Sequence, residues 1–290
     1  MPESPAAGNP DFMAGRLCVV TGASSGIGKA ASVALARLGA SVVLVCRDRG
    51  RGEAAMAEIG VAATGGAPSL ELADLSAMEQ VRDLAARLAG LPRIDALVNN
   101  AGLVVGRRKL TVDGLEHTLA VNHLAPFLLT NLLRSKLEAS AAATVVTVSS
   151  LAHRSARLDL DDLQLERHYA AMLAYSNSKL ANILFTRELA RRLAGTGVTA
   201  NCLHPGTVAT NFGQTGNRWL KAGLAVGRYF LRTPESGART LVYLASSPEV
   251  SGQTGGYYVS RRRREPSAAA RDDVLARRLW EISARLTGLS

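Results

Sequence analysis

Along the 290-residue chain, short and nearly uninterrupted apolar runs alternate with longer stretches in which apolar residues recur at spacings of three and four. Continuous apolar runs mark strands buried on both faces, and the three-and-four spacing marks helices that pack on them. Arg16 to Val20 reads as a first strand. A glycine turn over Thr21 to Gly28 then opens a helix that runs to about Leu38 and is closed by Gly39, and Ser41 to Cys46 is a second strand. Strand, helix and strand at this spacing predict parallel strands joined by a right-handed crossover. The pattern repeats with a helix over 50–59, a strand ending near Ala73, a helix from Ser76 to about Leu88 and a strand over 94–99. It continues with one helix around 114–137, a strand over 144–149, a long helix over 174–193, a strand over 198–203, a helix near 235–245 and a last strand over 256–259. This alternation predicts an α/β fold in which a single doubly wound parallel sheet carries helices on both faces. Residues 1–14, with Pro2, Pro5, Gly8 and Pro10, read as a disordered lead-in, and 15–260 as the domain. Residues 261–290 read as a basic loop followed by an amphipathic helix bearing Val274, Leu275, Leu279, Trp280, Ile282 and Leu286.

Composition narrows the class. A hydrophobic content of 47% with 20% charged residues is that of a globular protein. No apolar stretch approaches the ~20 residues that span a bilayer, and Met1 to Gly15 lacks the basic start and apolar core of a secretion signal, so the cytoplasm is the expected compartment. Cys18, Cys46 and Cys202 each lie in or beside an apolar run and read as reduced, buried residues. The five histidines show no metal-ligand spacing, so no metal site is expected. The net charge of +10 comes mainly from arginine and is densest at Arg261 to Arg264. With only 4% aromatic residues there is little on which bases could stack, and the run is expected to be a solvated loop with no nucleic-acid partner.

The chemistry concentrates in two places. Tyr175 and Lys179, four residues apart on one helix face, can reach the same ligand, and an ammonium beside a phenol lowers the phenol pKa toward that of a general acid/base. The turn at the end of the first strand has the features of a Rossmann-type phosphate cradle. Gly22 permits the turn, Gly26 lets a pyrophosphate approach the backbone, Gly28 allows close helix packing, and the helix offers its first N–H groups.

Together these motifs resemble the short-chain dehydrogenases/reductases over 15–259. Thr21 to Gly28, including Ser24, Ser25 and Ile27, is similar to the family's TGxxxGxG turn, and Asn99-Asn100-Ala101-Gly102 to its NNAG motif. Asn122, Ser150, Tyr175 and Lys179 are similar to its catalytic tetrad. Val148 to His153, Asn122-His123-Leu124, Leu180-Ala181-Asn182 and His204-Pro205-Gly206 look like the retinol-dehydrogenase-like branch.

The resemblance implies that Ser150, in preference to its neighbour Ser149, binds the substrate oxygen, and that Tyr175 exchanges a proton with it. Lys179 would hold the nicotinamide ribose, and Asn122 would kink its helix and position a water. Asp74 and Leu75 would contact the adenine, although Asp74 could simply cap the helix near Ser76. Asn100, Ala101 and Gly102 would lie beside the adenine ribose, and Pro205, Gly206 and Val208 beside the nicotinamide. Arg47 at the end of the second strand, with Lys29, favours the 2′-phosphate of NADP; Asp48 would offer a carboxylate instead if the register moved by one residue. Residues 210–232, with Phe212, Trp219, Leu220, Leu224, Tyr229 and Phe230, stand where the family has its variable substrate loop and suggest a small lipophilic carbonyl or alcohol as substrate. The expected activity is that of an NADP(H)-dependent oxidoreductase, with an NAD-linked alcohol dehydrogenase and a non-catalytic dinucleotide sensor as alternatives. Family habit makes a homo-oligomer through the Tyr175 helix and its predecessor one expectation; a tail that covers its own domain is the other.

Overall fold

A computed structural model of the chain describes residues 12–140, 142–206 and 233–289. Among these, eight strands form one sheet in the order β3-β2-β1-β4-β5-β6-β7-β8. The strands are β1 (Leu17–Thr21), β2 (Ser41–Cys46), β3 (Ser69–Leu72), β4 (Ala96–Asn99), β5 (Thr144–Val148), β6 (Thr199–His204), β7 (Tyr257–Val259) and β8 (Arg262–Arg264). The first seven are parallel and β8 is antiparallel to β7. Chain order reverses direction at β1, with β2 on one side and β4 on the other, which opens a crevice beyond the carboxyl ends of these strands.

Successive strand residues point to opposite faces, and the core divides accordingly. Val19, Leu97, Val145 and Cys202 pack with helices α3 (Met78–Ala89), α5 (Ala125–Leu132) and α7 (Ala171–Arg192). Cys18, Val20, Val98 and Val146 pack on the other face with α1 (Gly26–Arg37), α2 (Arg49–Ala62) and α8 (Pro234–Ser246). Burying each such aliphatic side chain stabilises the fold by roughly 1.5–3 kcal/mol, which is why strands of three to six residues suffice to hold the sheet. All three cysteines are free and buried, and burial pushes the Cys18 and Cys202 thiols up to about 12.

Several expectations change. Met13, inside the expected lead-in, is fully buried in the core cluster that includes Leu35 and Ala36 of α1, and it donates its N–H to the Leu38 carbonyl. The helix expected over 114–137 is broken into α4 (His117–Leu119), a π-helical turn (Ala120–Leu124), α5 and α6 (Arg134–Ala139). Pro126 lacks the N–H that would bond the Asn122 carbonyl in an α-helix, so the wider turn falls where regular bonding must fail.

The arginine run is not a loop. Val259 and Arg262 pair through a two-residue connection in which Ser260 and Arg261 both take positive φ, 51° and 63°, as a tight hairpin requires. An edge strand made of exposed arginines repels further strands, so the run has a role in the fold itself.

The C-terminal helix α9 (Asp273–Thr287) lies on its own domain, against α7. Trp280 packs edge-on to Phe127 with ring centres 4.8 Å apart and stacks on Phe185 at 5.8 Å, beneath the Arg192 guanidinium. Asp273 pairs with Arg187 and Arg191. An oligomer built on this face of α7 would have to displace α9.

Candidate active site

Thr21 ends β1 and joins it to the NNAG segment. Its hydroxyl accepts the N–H groups of Asn100 and Ala101 at 3.0 and 3.1 Å, and the Asn100 side chain donates to the Thr21 carbonyl at 2.8 Å. The turn between β1 and α1 is shaped by missing side chains. Gly22 has φ +68°, and a Cβ there would lie 3.0 Å from the Ala101 Cα. A Cβ on Gly28 would lie 2.4 Å from the Gly22 carbonyl oxygen and from the Asn100 amide nitrogen. Gly26 also takes a positive φ, 54°. Ser25 stands at the N-cap of α1 without a side-chain cap bond, leaving the first N–H groups of α1 to an incoming anion. Ser24, Ser25, Gly26 and Ile27 are all at least partly exposed along this cradle. The cradle therefore fits a dinucleotide pyrophosphate.

At the end of β2, Asp48 is committed to capping α2: its carboxylate accepts the Arg51 N–H at 2.9 Å, which holds its pKa below the usual carboxylate range. Arg47 reaches solvent, 4.0 Å from the Asp74 carboxylate. Asp74 accepts both the N–H and the hydroxyl of Ser76 in the turn before α3 but does not cap that helix, which starts at Met78 with Ala77 at its N-cap and sends its Met78 N–H to the Asp113 carboxylate at 2.9 Å. Lys29 is paired with Glu58 at 2.7 Å.

The second cluster lies beyond β4, β5 and β6. Ser149 and Ser150 follow β5 and point apart. Ser149 is buried and donates to the Lys179 carbonyl at 2.7 Å, fixing α7 to the sheet. Ser150 caps the short 3-10 helix Leu151–Ser155, its hydroxyl accepting the Ala152 N–H at 3.2 Å, and it draws the Tyr175 phenol pKa downward. Lys179 is almost fully buried. Its Nζ donates to the Val148 carbonyl at 3.1 Å and lies 5.5 Å from the centre of the Tyr175 ring.

Asn122 lies in the π-helical turn, where its side chain exchanges hydrogen bonds with the backbone of Leu103 at 2.8 and 2.9 Å and donates to Ser178 at 3.0 Å. Gly102 leaves the space between them: a Cβ there would lie 3.3 Å from both the Lys179 Nζ and the Asn122 Oδ1. Pro205 and Gly206 follow β6 on the same side of the sheet, while Val208 and the 210–232 segment lie outside the described residues.

One electrostatic expectation is overturned. Burial, the largest influence, pushes the Tyr175 phenol above its ordinary value, and the Ser150 hydroxyl only opposes it. Burial also brings Lys179 down to about 8. Burial thus outweighs the influences that lower the phenol, and its net shift is upward.

Three buried histidines complete the surroundings and carried no role in the sequence reading. His153 Nδ1 lies 2.7 Å from the Ser150 carbonyl, and its Nε2 accepts the Ser267 N–H at 3.1 Å. His204 Nδ1 accepts the Leu151 N–H at 3.3 Å. His123 bridges Asn182 (3.4 Å) and Ser283 of α9 (2.9 Å), and burial brings it down to about 4. Their only signal was their place within the segments that resemble the branch.

A glycine cradle at a switch point and a Ser, Tyr, Lys cluster beyond the neighbouring strands define a dinucleotide-linked α/β oxidoreductase. The model of the family described as short chain dehydrogenase matches residues 16–221, and the chain belongs to this family. Within it, the chain falls in the retinol-dehydrogenase-like branch. It is 43% identical to retinol dehydrogenase 14 of Homo sapiens, over 97% of this chain and 89% of that protein. Identity with human retinol dehydrogenase 13 is 41%, over 95% of this chain and 85% of that protein.

Among solved structures, an uncharacterised protein from Mycobacterium paratuberculosis superposes with a TM-score of 0.80 at 37% identity, covering 99% of this chain and 98% of the other. The RhlG/NADP active-site complex of Pseudomonas aeruginosa superposes at 0.68 with 28% identity, covering 86% of this chain and 96% of the other. The family uses a nicotinamide dinucleotide, and no helix among the described residues is long and apolar enough to cross a membrane.

Proposed function

We propose that the chain is an NADP(H)-dependent oxidoreductase of the cytoplasm that interconverts a lipophilic carbonyl and its alcohol, using Ser150, Tyr175, Lys179 and Asn122. The observation that carries this reading is the Lys179 ammonium 5.5 Å from the centre of the Tyr175 ring, with the Ser150 hydroxyl acting on the same phenol, beyond the strand end next to the cradle. The pyrophosphate would rest on residues 22–28, the adenine end beside Asp74, Leu75 and Asn100 to Gly102, and the nicotinamide end beside Lys179, Pro205, Gly206 and Val208. When bound, the dinucleotide supplies or takes up the hydride at the substrate carbon. Ser150 donates a hydrogen bond to the substrate oxygen and stabilises its developing charge. Tyr175 gives that oxygen its proton during reduction and removes it during oxidation. Lys179 orients the ribose, and its charge combines with that of the oxidised nicotinamide to bring the phenol down from its raised resting value. Asn122 keeps Leu103 and Ser178 in place around this group.

Two observations support the finer choices. Asp48 is occupied as a helix cap while Arg47 is exposed, which favours a 2′-phosphate over a free ribose hydroxyl. Leu151 and Met172 are 46% and 59% exposed although they stand one residue after Ser150 and three before Tyr175, an apolar mouth suited to a lipophilic substrate. The name shared by the curated relatives makes retinaldehyde the first compound to try.

The test follows absorbance of reduced nicotinamide with NADPH or NADH and a panel of aliphatic, aromatic, steroid and retinoid carbonyls. NADPH oxidation with apolar members is expected, and Arg47→Asp should cut the preference for NADPH over NADH by about tenfold or more. An unchanged preference would favour the NAD-linked alternative. Binding of both dinucleotides without turnover of any compound would favour a sensor.

A further inference from the structure

The peptide unit joining Ser150 to Leu151 is gripped at both ends by imidazoles. Its N–H goes to His204 Nδ1, at 3.3 Å, and its carbonyl oxygen receives His153 Nδ1, at 2.7 Å. The protonation of His153 follows from its partners. A carbonyl can only accept, so Nδ1 carries a proton; a backbone N–H can only donate, so Nε2, which receives Ser267 N–H, presents its lone pair. The ring is therefore neutral and held in one tautomer. It is 1% exposed and packs edge-on against Tyr257 at 5.1 Å, so it has little freedom to turn. Next to it, Arg154 donates to the Glu265 carbonyl, giving the 3-10 helix a second tie to the same C-terminal segment.

The orientation of the 150–151 peptide sets the direction of the Ser150 Cα–Cβ bond and hence where the hydroxyl lies relative to Tyr175. We propose that His153 is a positioning residue for Ser150, fastening the backbone of the serine to the C-terminal segment at Ser267 through a single neutral tautomer. The inference rests on the Ser150–Tyr175 assignment made above. It adds that the segment after the edge hairpin, remote in sequence from Ser150, helps to hold the reacting hydroxyl.

Two amide substitutions separate the two bonds. His153→Asn keeps a donor where Nδ1 stands and loses the acceptor for Ser267; His153→Gln keeps an acceptor where Nε2 stands and loses the donor to Ser150. His153→Leu removes both. The readout is the ionisation of Tyr175 in the NADP+ complex, taken as the ultraviolet difference titration of each protein against the same protein carrying Tyr175→Phe. Ser150→Ala serves as the reference. Because the serine hydroxyl lowers the phenol pKa, Ser150→Ala should raise it. His153→Gln and His153→Leu should raise it by about half a unit or more, and His153→Asn should leave it within a few tenths of wild type. NADP+ affinity should stay within about threefold in all of them, and thermal stability should not follow the same order.

A titration of His153→Gln that matches wild type while Ser150→Ala shifts overturns the inference alone. The same follows if His153→Asn shifts as far as His153→Gln. No shift in Ser150→Ala overturns the Ser150–Tyr175 assignment, and the inference with it. Should His153→Leu fail to fold, the Asn and Gln pair decides.

Discussion

The proposed cofactor cradle and the proposed catalytic cluster lie at the same edge of one sheet but are built in opposite ways. Between β1 and α1 the chain works by omission: Gly22 and Gly28 leave out side chains that would strike the Ala101 backbone and the Gly22 carbonyl. Beyond β5 and β6 the chain works by addition: Ser149, Asn122, Lys179, Asn182 and His153 fill the space with buried polar groups, each with a hydrogen-bond partner. The difference follows from the ligands. A pyrophosphate is satisfied by backbone N–H groups and needs them bare, whereas proton transfer requires side chains held in fixed positions.

The comparison is open to attack at each end. Adding a single methyl group to the cradle should have the largest effect. In Gly28→Ala the new Cβ meets a backbone oxygen and a pinned amide, neither of which can yield cheaply. Dinucleotide affinity should fall by at least about a hundredfold in a fluorescence titration, with overpacking costing roughly 1–3 kcal/mol of stability. Affinity within a few-fold of wild type would show that the missing side chain does not define the cradle.

Removing atoms behind the catalytic cluster should act through stability. Trp280→Ala leaves a cavity against Phe127 and Phe185 and should cost about 3 kcal/mol in denaturant unfolding. A loss below about 1 kcal/mol would mean that α9 is not a part of the core.

The smallest effect concerns pH. His123 titrates near 4 in the folded chain because burial disfavours its charge, against about 6.5 when exposed. Stability from keeping it neutral is complete above the unfolded value and is lost as pH falls toward the folded one. Between pH 7 and pH 5 the wild type should lose about 2 kcal/mol more than His123→Asn. Parallel stability curves would contradict this.

Much of the architecture was legible because apolar periodicity and glycine turns report directly on buried strands and helix starts. Seven strands produced an apolar run or a turn signal; β8 did not, because an edge strand of arginines buries nothing and its Ser260-Arg261 turn lacks the usual Asn or Gly. The break at the π-helical turn was obscured by continuous apolar residues around Pro126, although the proline was its cause. At the site, the glycine cradle and the Tyr175/Lys179 spacing were visible as local patterns. Choosing between Ser149 and Ser150 was not a local matter, since it depends on which hydroxyl bonds the backbone of α7 and which lies by the Tyr175 side chain. The histidine supports were hidden for the same reason: His153 and His204 act on one peptide unit from positions 51 residues apart, a relation only the fold creates. The direction of the Tyr175 shift was misread because spacing reports the nearby charge and says nothing about how far both groups are taken out of water.

The central claim is that Tyr175 transfers the proton within an intact binding cleft. It is tested most directly by measuring turnover and NADPH affinity side by side in Tyr175→Phe, using whichever carbonyl of the panel the wild type reduces. Turnover should fall by about a thousandfold while NADPH still binds within about threefold of wild type. Turnover within tenfold of wild type, with NADPH bound as before, would contradict the account.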